Sequence, residues 1–283
     1  MITSQSIPRS KLPFFSKDEL DFIYNQEKLN EFIGLPFAIE NFEKQIKTKK
    51  KLFTDKQRQT LTKVLEGNYA TLPENELACA QIELLKEDKT YTVTTGHQLC
   101  LYGGPLYFFI KIIHTIRLSE ALKKQYPEYN FIPVFWMASE DHDSEEIQSL
   151  NLFGKTITWN HKQEGAVGKF NTENLNEVKD QLLALFRAQK ESELDDYLSA
   201  MDGKSYGEAF KSWMHRLFGH MGLLVLDADQ KELKNQMVPL FQKEILENFS
   251  NQCIEKTNQK LISAKRTPQI YSRKINVFYM EKD

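Results

Sequence analysis

The chain is poor in cysteine, glycine and proline, and it carries no excess of either charge and no long apolar run. Its 283 residues hold three cysteines, 12 glycines and 9 prolines, with 37 Lys and Arg against 39 Asp and Glu. Cys79, Cys100 and Cys253 lie far apart and form no CxxC pair. That excludes a zinc ribbon or a disulfide framework and fits a reducing compartment. Residues 1–11 lack the apolar core of a secretory leader. The longest stretch free of Lys, Arg, Asp and Glu, residues 90–110, contains Thr94-Thr95-Gly96-His97-Gln98 and Gly103-Gly104-Pro105, which suit no bilayer span. A net charge of −2 lacks the basic bias of a dedicated nucleic-acid binder. The expectation is a cytoplasmic protein with neither a membrane nor a nucleic acid as partner. Scarce glycine and proline favour long regular elements, and 41% hydrophobic residues support a core and exclude general disorder.

What is present reads as helices followed by an α/β core. Ser16 and Glu19 have capping-box spacing before Leu20, Phe22 and Ile23. Thr54 opens a second helical segment that ends at Gly67, and Pro73 introduces a third with Leu77, Ala80, Ile82 and Leu85. Lys47-Thr48-Lys49-Lys50-Lys51 reads as a solvated helix face rather than an anion patch. Residues 91–95 are β-rich. After Gly103-Gly104-Pro105 a helix carries Leu106, Phe109, Ile110, Ile113 and Ile116 on one face, and residues 131–137 form a continuous apolar run suited to a buried strand. Strand, helix and strand within about fifty residues make a βαβ unit, hence a parallel sheet. A strand pair is expected around Gly154-Lys155, a polar helical insertion at about 160–203, a helix over 206–218 and a second buried strand over 222–227. A helix follows over 231–249 despite Pro239, and a last strand over 274–280. The division expected is a helical region at 1–88, a Rossmann-like core at 89–250, and the start of a further, truncated segment at 251–283.

Ligands of open α/β sheets bind beyond the carboxyl ends of the strands, and two polar clusters fall there. In Thr95-Gly96-His97-Gln98 a glycine permits close backbone approach, and the imidazole and amide can donate to anionic oxygens. The start of the next helix offers free N–H groups to the same anion. Glu140-Asp141-His142-Asp143 crowds three carboxylates beside one imidazole, a pattern suited to acid/base chemistry or amine binding. A purely structural network and a metal site are the alternatives, and no metal is assigned. The catalytic candidates are His142, Asp141 and Glu140. The substrate-binding candidates are Thr95, Gly96, His97, Gln98, Gly104, Tyr107, Lys111 and Asp143. Asp227 and Asp229 end a buried strand, where helix capping explains them equally well.

Thr95-Gly96-His97-Gln98, Gly103-Gly104-Pro105-Leu106-Tyr107 and the run Pro133-Val134-Phe135-Trp136-Met137-Ala138-Ser139-Glu140-Asp141-His142-Asp143 together resemble the bacillithiol biosynthesis cysteine-adding enzyme family, a family of cysteine ligases. Residues 205–210, 218–227 and 275–279 support the same resemblance. It implies joining cysteine to the amine of glucosaminyl-malate, on a Rossmann-like core similar to class I aminoacyl-tRNA synthetases and nucleotidyltransferases. Inserted segments and a coiled-coil arm supporting a homodimer are implied as well. Gly96-His97-Gln98 then lies where synthetases carry a nucleotide-binding histidine motif. Many relatives have Gln in place of His97 and Trp in place of Tyr206. Family members are longer, so the chain is expected to be the N-terminal portion of such an enzyme. Amide formation from a free carboxylate is uphill in water, which makes ATP the expected co-substrate. Two other readings stand beside this one: a nucleotide-binding, adenylate-forming transferase acting on another acid and amine, and a non-enzymatic interaction module on a degenerate Rossmann core.

Overall fold

The structure is a computed structural model that describes residues 5–186 and 191–279. The chain begins with α1 (Lys17–Tyr24), α2 (Phe42–Leu52), α3 (Asp55–Tyr69) and α4 (Glu76–Leu85). α1 opens on the expected capping box: Ser16 Oγ accepts from the Glu19 N–H at 3.2 Å, and Glu19 Oε2 accepts from the Ser16 N–H at 2.7 Å. α3 uses the same device at Thr54 with Gln57 and runs two residues past Gly67. α4 begins later than Pro73 predicts. Asn75 Nδ2 donates to the Tyr69 carbonyl at 2.7 Å and holds residues 69–75 as a turn, so Pro73 precedes the helix. The lysine run is the last turn of α2, with exposed side chains complementing the helix dipole.

The core follows as β1 (Thr90–His97), α5 (Leu106–Gln125) and β2 (Asn130–Met137), the expected βαβ unit. Next come α6 (Ser144–Ile147) and the antiparallel pair β3 (Ser149–Leu152) and β4 (Lys155–Thr158). The remaining elements are α7 (Leu175–Leu185), α8 (Glu191–Ser199), α9 (Tyr206–Phe218), β5 (Leu224–Asp227), α10 (Lys231–Glu247) and α11 (Phe249–Ser263). β1, β2 and β5 form a parallel sheet in the order β1-β2-β5. Pro133 has no N–H to give, and at that residue β2 pairs with β1 alone; pairing with β5 starts at Val134.

The period of two sorts the strand residues onto two buried faces. Phe135, Met137 and Val225 pack with Phe108, Ile112 and Ile116 of α5 and with Phe210, Trp213 and Met214 of α9. Ile132, Val134, Leu224 and Leu226 pack with Leu65 and Tyr69 of α3 and with Ala78, Ile82 and Leu85 of α4. Helices on both faces explain why β2 is a continuous apolar run rather than an alternating one. The 160–203 region contributes Leu175, Val178, Leu182, Leu198 and Met201 to the first of these cores, so its helices are integral to the packing.

Two compact units result, one of Met1–Thr48 with Val238–Asp283 and one of Lys49–Met237. The helical region at 1–88 is therefore shared between them: α3 and α4 cover the sheet, whereas α1 packs in the other unit. In that unit the half-buried Arg266 guanidinium joins Asp18 and Asp21 and donates to the Lys28 carbonyl. The strand expected at 274–280 is not formed over residues 274–279, and Met280 lies outside the described residues. Its polar groups go elsewhere. The N–H and Nδ2 of Asn276 both donate to Glu244 Oε1 of α10 at 2.9 Å, which takes the place of a ladder.

Candidate functional site

His97 and Met137 are register partners, so β1 and β2 end level. The two polar clusters leave from that line and meet. Gln98 Nε2 donates to Asp141 Oδ2 at 3.0 Å and to Glu146 Oε2 at 2.7 Å, joining segments more than forty residues apart. Asp141 Oδ1 accepts from the Asp143 N–H at 3.0 Å, and Asp143 caps α6. His97 is half-buried. Its Nδ1 lies 3.1 Å from the Gln98 carbonyl and 3.4 Å from Cys100 Sγ, and its ring meets Tyr107 and Phe108 edge-on. Burial, reinforced by the charge of Lys111, holds His97 below its ordinary pKa, against the opposing hydrogen bond to Gln98. The ring is therefore neutral at neutral pH, with Nδ1–H donating to the carbonyl.

Lys111 Nζ donates to the Gly96 carbonyl at 2.7 Å while lying 5.1 Å from the centroid of Tyr107. Tyr107 is exposed at the helix start. Thr95 lies inside β1 opposite Phe135 rather than at the strand end. Gly104 has a packing explanation: at φ +50° an added Cβ would sit 2.8 Å from Cys100 Cβ. Burial pushes the Cys100 thiol up to about 11, which leaves little thiolate at neutral pH.

The acidic cluster does not stay together. Asp141 turns toward Gln98, and His142 and Asp143 are exposed. Glu140 turns toward the charges at β5: its Oε2 is shielded without a hydrogen-bond partner, and burial pushes the carboxyl up, helped by Asp229 and Asp227 and opposed by a hydrogen bond to its own backbone and by Lys234. Backbone alternation explains the split, since neighbours on an extended segment point apart. Among the described residues, no three His, Cys, Asp or Glu side chains gather as metal ligands.

A second half of the crevice lies between the ends of β2 and β5, a cavity of about 420 Å³ whose lining includes Ser139 but not Glu140. The buried Ser139 hydroxyl donates to Asp227 Oδ1, which also accepts from the Asp229 N–H at 3.0 Å. Asp229 is paired with Lys234 and, at 3.5 Å, with Lys169. Lys211 of α9 enters from one side and Asn68 of α3 from another. Ser139, Asn68, Lys169 and Lys211 were not among the sequence candidates. Ser139 stood within the quoted motif, and Asp227 at a strand end gave a usable signal. Nothing local marks Lys211 or Asn68.

A parallel sheet covered on both faces, with polar side chains gathered beyond its carboxyl edge, defines a Rossmann-like α/β domain. Comparison with known proteins narrows the class. The chain belongs to the bacillithiol biosynthesis BshC family, matching its N-terminal Rossmann-like domain over residues 5–283. It is 38% identical over 283 residues to the "Putative cysteine ligase BshC" of Flavobacterium psychrophilum, covering 97% of this chain and 52% of that protein. The protein of the same name in Flavobacterium johnsoniae is 38% identical over 274 residues, covering 95% and 51%. That of Staphylococcus epidermidis is 35% identical over 201 residues, covering 64% and 37%. The chain thus spans about half the length of its Flavobacterium relatives. No helix among the described residues is long and apolar enough to cross a membrane.

Proposed function

We propose that the chain is the Rossmann-like domain of a cysteine ligase that joins the carboxyl of cysteine to the amine of glucosaminyl-malate, with ATP as co-substrate. The observation that carries the reading is the Gln98 bridge, which brings both polar clusters of the family motif to one point at the strand ends. In this scheme Glu140, with its carboxyl held high by burial, exchanges the proton that the amine loses on attack. Asp141 and Asp143 hold the ammonium or sugar hydroxyls beforehand, and His142 serves as the exposed acid/base partner. Thr95, Gly96 and Gly104 shape the backbone around the reactants.

No glycine-rich phosphate loop is present, so nucleotide contacts would fall to His97, Gln98, Lys111 and Tyr107. The first turn of α5 supports this assignment, because Pro105 provides no side-chain cap for it. A core similar to class I synthetases, a homodimer built on a coiled-coil arm and a cytoplasmic location complete the proposal. The test uses the full-length polypeptide with cysteine and glucosaminyl-malate, with and without ATP, and follows thiol product by mass spectrometry. Product that depends on ATP and falls at least tenfold in Asp141→Ala and Glu140→Gln supports the reading. Absence of product under every condition overturns it.

A further inference from the structure

Lys211 lies partly buried on α9, and its Nζ donates only to the Asn68 backbone carbonyl at 3.3 Å. Among the described residues no carboxylate lies within salt-bridge distance of it; the charges of Asp227 and Glu208 act on it from farther away. A desolvated ammonium held by one carbonyl is incompletely satisfied. Beside it, Asn68 Nδ2 is shielded from solvent and donates to nothing. Both residues line the 420 Å³ cavity, whose volume falls within the usual range for small-molecule sites.

The acids lining the same cavity are already engaged. Asp227 accepts from Ser139, from the Asp229 N–H and, at 3.4 Å, from Gln230 Nε2. Asp229 is neutralised by Lys234 and Lys169. Glu208 Oε2 accepts from the Lys204 N–H at 3.0 Å. The unanswered groups of the cavity lining are therefore both donors, one charged and one neutral, and Lys211 is joined to Asn68 by its bond to that residue's backbone carbonyl. A ligand that completes them brings an acceptor of single negative charge. One lysine and one amide among engaged carboxylates form a poor receptor for a polyphosphate, whose several charges would meet Asp227 and Glu208. A carboxylate matches the donor count, one oxygen for each.

We propose that Lys211 and the Asn68 amide form the receptor for a substrate carboxylate, placed across β2 from the Gln98–Asp141 network. The inference rests on the ligase reading for the identity of the acid. Two sources carry that chemistry: the malyl carboxylates of the amino-sugar conjugate and the carboxylate of cysteine.

The experiment is equilibrium binding to the 283-residue chain by calorimetry, with glucosaminyl-malate, L-malate and L-cysteine as probes and the corresponding neutral amides as controls. NMR of the Asn68 side-chain amide follows the same titrations. Lys211→Met is expected to weaken the carboxylate probes about tenfold or more. Lys211→Arg should stay within a few-fold of wild type, Asn68→Leu should lose less than Lys211→Met, and the amide controls should be insensitive to all three. Circular dichroism and urea midpoints identify any variant that fails to fold, in which case the Asn68 shifts in the wild-type chain decide. Loss confined to the malyl probes assigns the conjugate, and loss confined to cysteine assigns the amino acid. Equal affinity in Lys211→Met, equal losses for the amides, or no binding of any carboxylate probe overturns the proposal. Because the readout is binding, a receptor can be demonstrated even if no ligase product forms. Product formation with unchanged KM values in Lys211→Met would remove the receptor and leave the ligase reading standing.

Discussion

The two halves of the crevice differ in how their polar groups are satisfied. On the β1–β2 side, Gln98, Asp141, Asp143 and Glu146 are wired to one another, and Lys111 is tied to a backbone carbonyl. On the β2–β5 side the acids lining the cavity are wired, but Lys211 and Asn68 keep polar groups that are incompletely matched. Wiring within a site fixes its geometry, while unmatched groups store the capacity to bind. The first half is thus built as a positioning network and the second as a receptor. The two strand-end glycine neighbourhoods at Trp136 and Ser139 differ as well. An added Cβ at Gly96 would meet Trp136 Cβ at 3.4 Å, ordinary contact, whereas at Gly168 it would fall 2.5 Å from Ser139 Cβ.

The largest expected effect follows from that difference. Gly168→Ala should destabilise the chain by about 3 kcal/mol, because the new methyl drives against the Ser139 backbone at the floor of the cavity. Gly96→Ala should cost less than about 1 kcal/mol, since it meets no clash and adopts no positive φ. Urea denaturation of the two variants checks the pair. Equal costs would mean that the cavity wall at Ser139 is not rigid.

The second effect concerns what holds β5. Tyr69 Oη accepts from the Val225 N–H at 2.7 Å, and both residues are buried. Tyr69→Phe leaves that N–H unsatisfied and should cost about 2 kcal/mol near neutral pH. Burial pushes the Tyr69 hydroxyl up from 10.0 to about 12, so its folded-state pKa lies above the unfolded one. The linked stability is complete below pH 10 and is lost as pH rises from there toward 12. The gap between wild type and Tyr69→Phe in urea midpoint should therefore narrow above pH 10. A gap constant from pH 7 to 11.5 would show that Tyr69 is not desolvated.

A smaller contrast sets Ser139→Ala against Gln98→Ala. Removing the Ser139 hydroxyl takes one donor from Asp227 in a shielded place, for about 1 kcal/mol, because Asp229 N–H and Gln230 remain. Gln98→Ala breaks two more exposed bonds and should cost about 0.5 kcal/mol or less in stability. Its effect on product formation should nevertheless be the larger, at least tenfold, if the bridge positions Asp141. Thermal denaturation and the ligase assay separate the two outcomes. A Gln98→Ala variant with full activity would reduce the bridge to a surface contact.

The same contrast explains what could be read from the chain. The βαβ unit was legible because its signals are contiguous: the apolar run at 131–137, the glycine break at 103–104 and the stripe from Leu106 to Ile116 act within about fifty residues. The junction of Gln98 with Asp141 was legible for the same reason, as both leave adjacent parallel strands. Lys211 and Asn68 lie in helices more than 140 residues apart, and no local period separates them from other surface polar residues. The misread strand at 274–280 shows the converse. Ile275, Val277 and Tyr279 alternate as a strand would, but alternation records only a two-sided segment. A ladder needs a neighbour, and Glu244 instead takes the Asn276 donors. The lysine run gave away the exposed face of α2 but not its extent, because a single buried apolar residue, Ile46, marks its inner side.

The finest distinction concerns the charge state of the β1–β2 network. His97 is held low chiefly by burial and secondarily by the Lys111 ammonium, with the Gln98 carbonyl opposing. A base with a depressed folded-state pKa contributes stability that is present above its unfolded value of 6.5 and is lost as pH falls through the folded one. The His97 ring proton should therefore titrate below 6.5 by NMR. Lys111→Met should move the midpoint upward without restoring it to 6.5, because the larger cause, burial beside Phe108, remains. If Lys111→Met restores the ordinary value in full, charge rather than desolvation governs the ring. In that event the β1–β2 half would be an electrostatic device like its neighbour, and the contrast between a wired network and an unmatched receptor would fail at its most sensitive point.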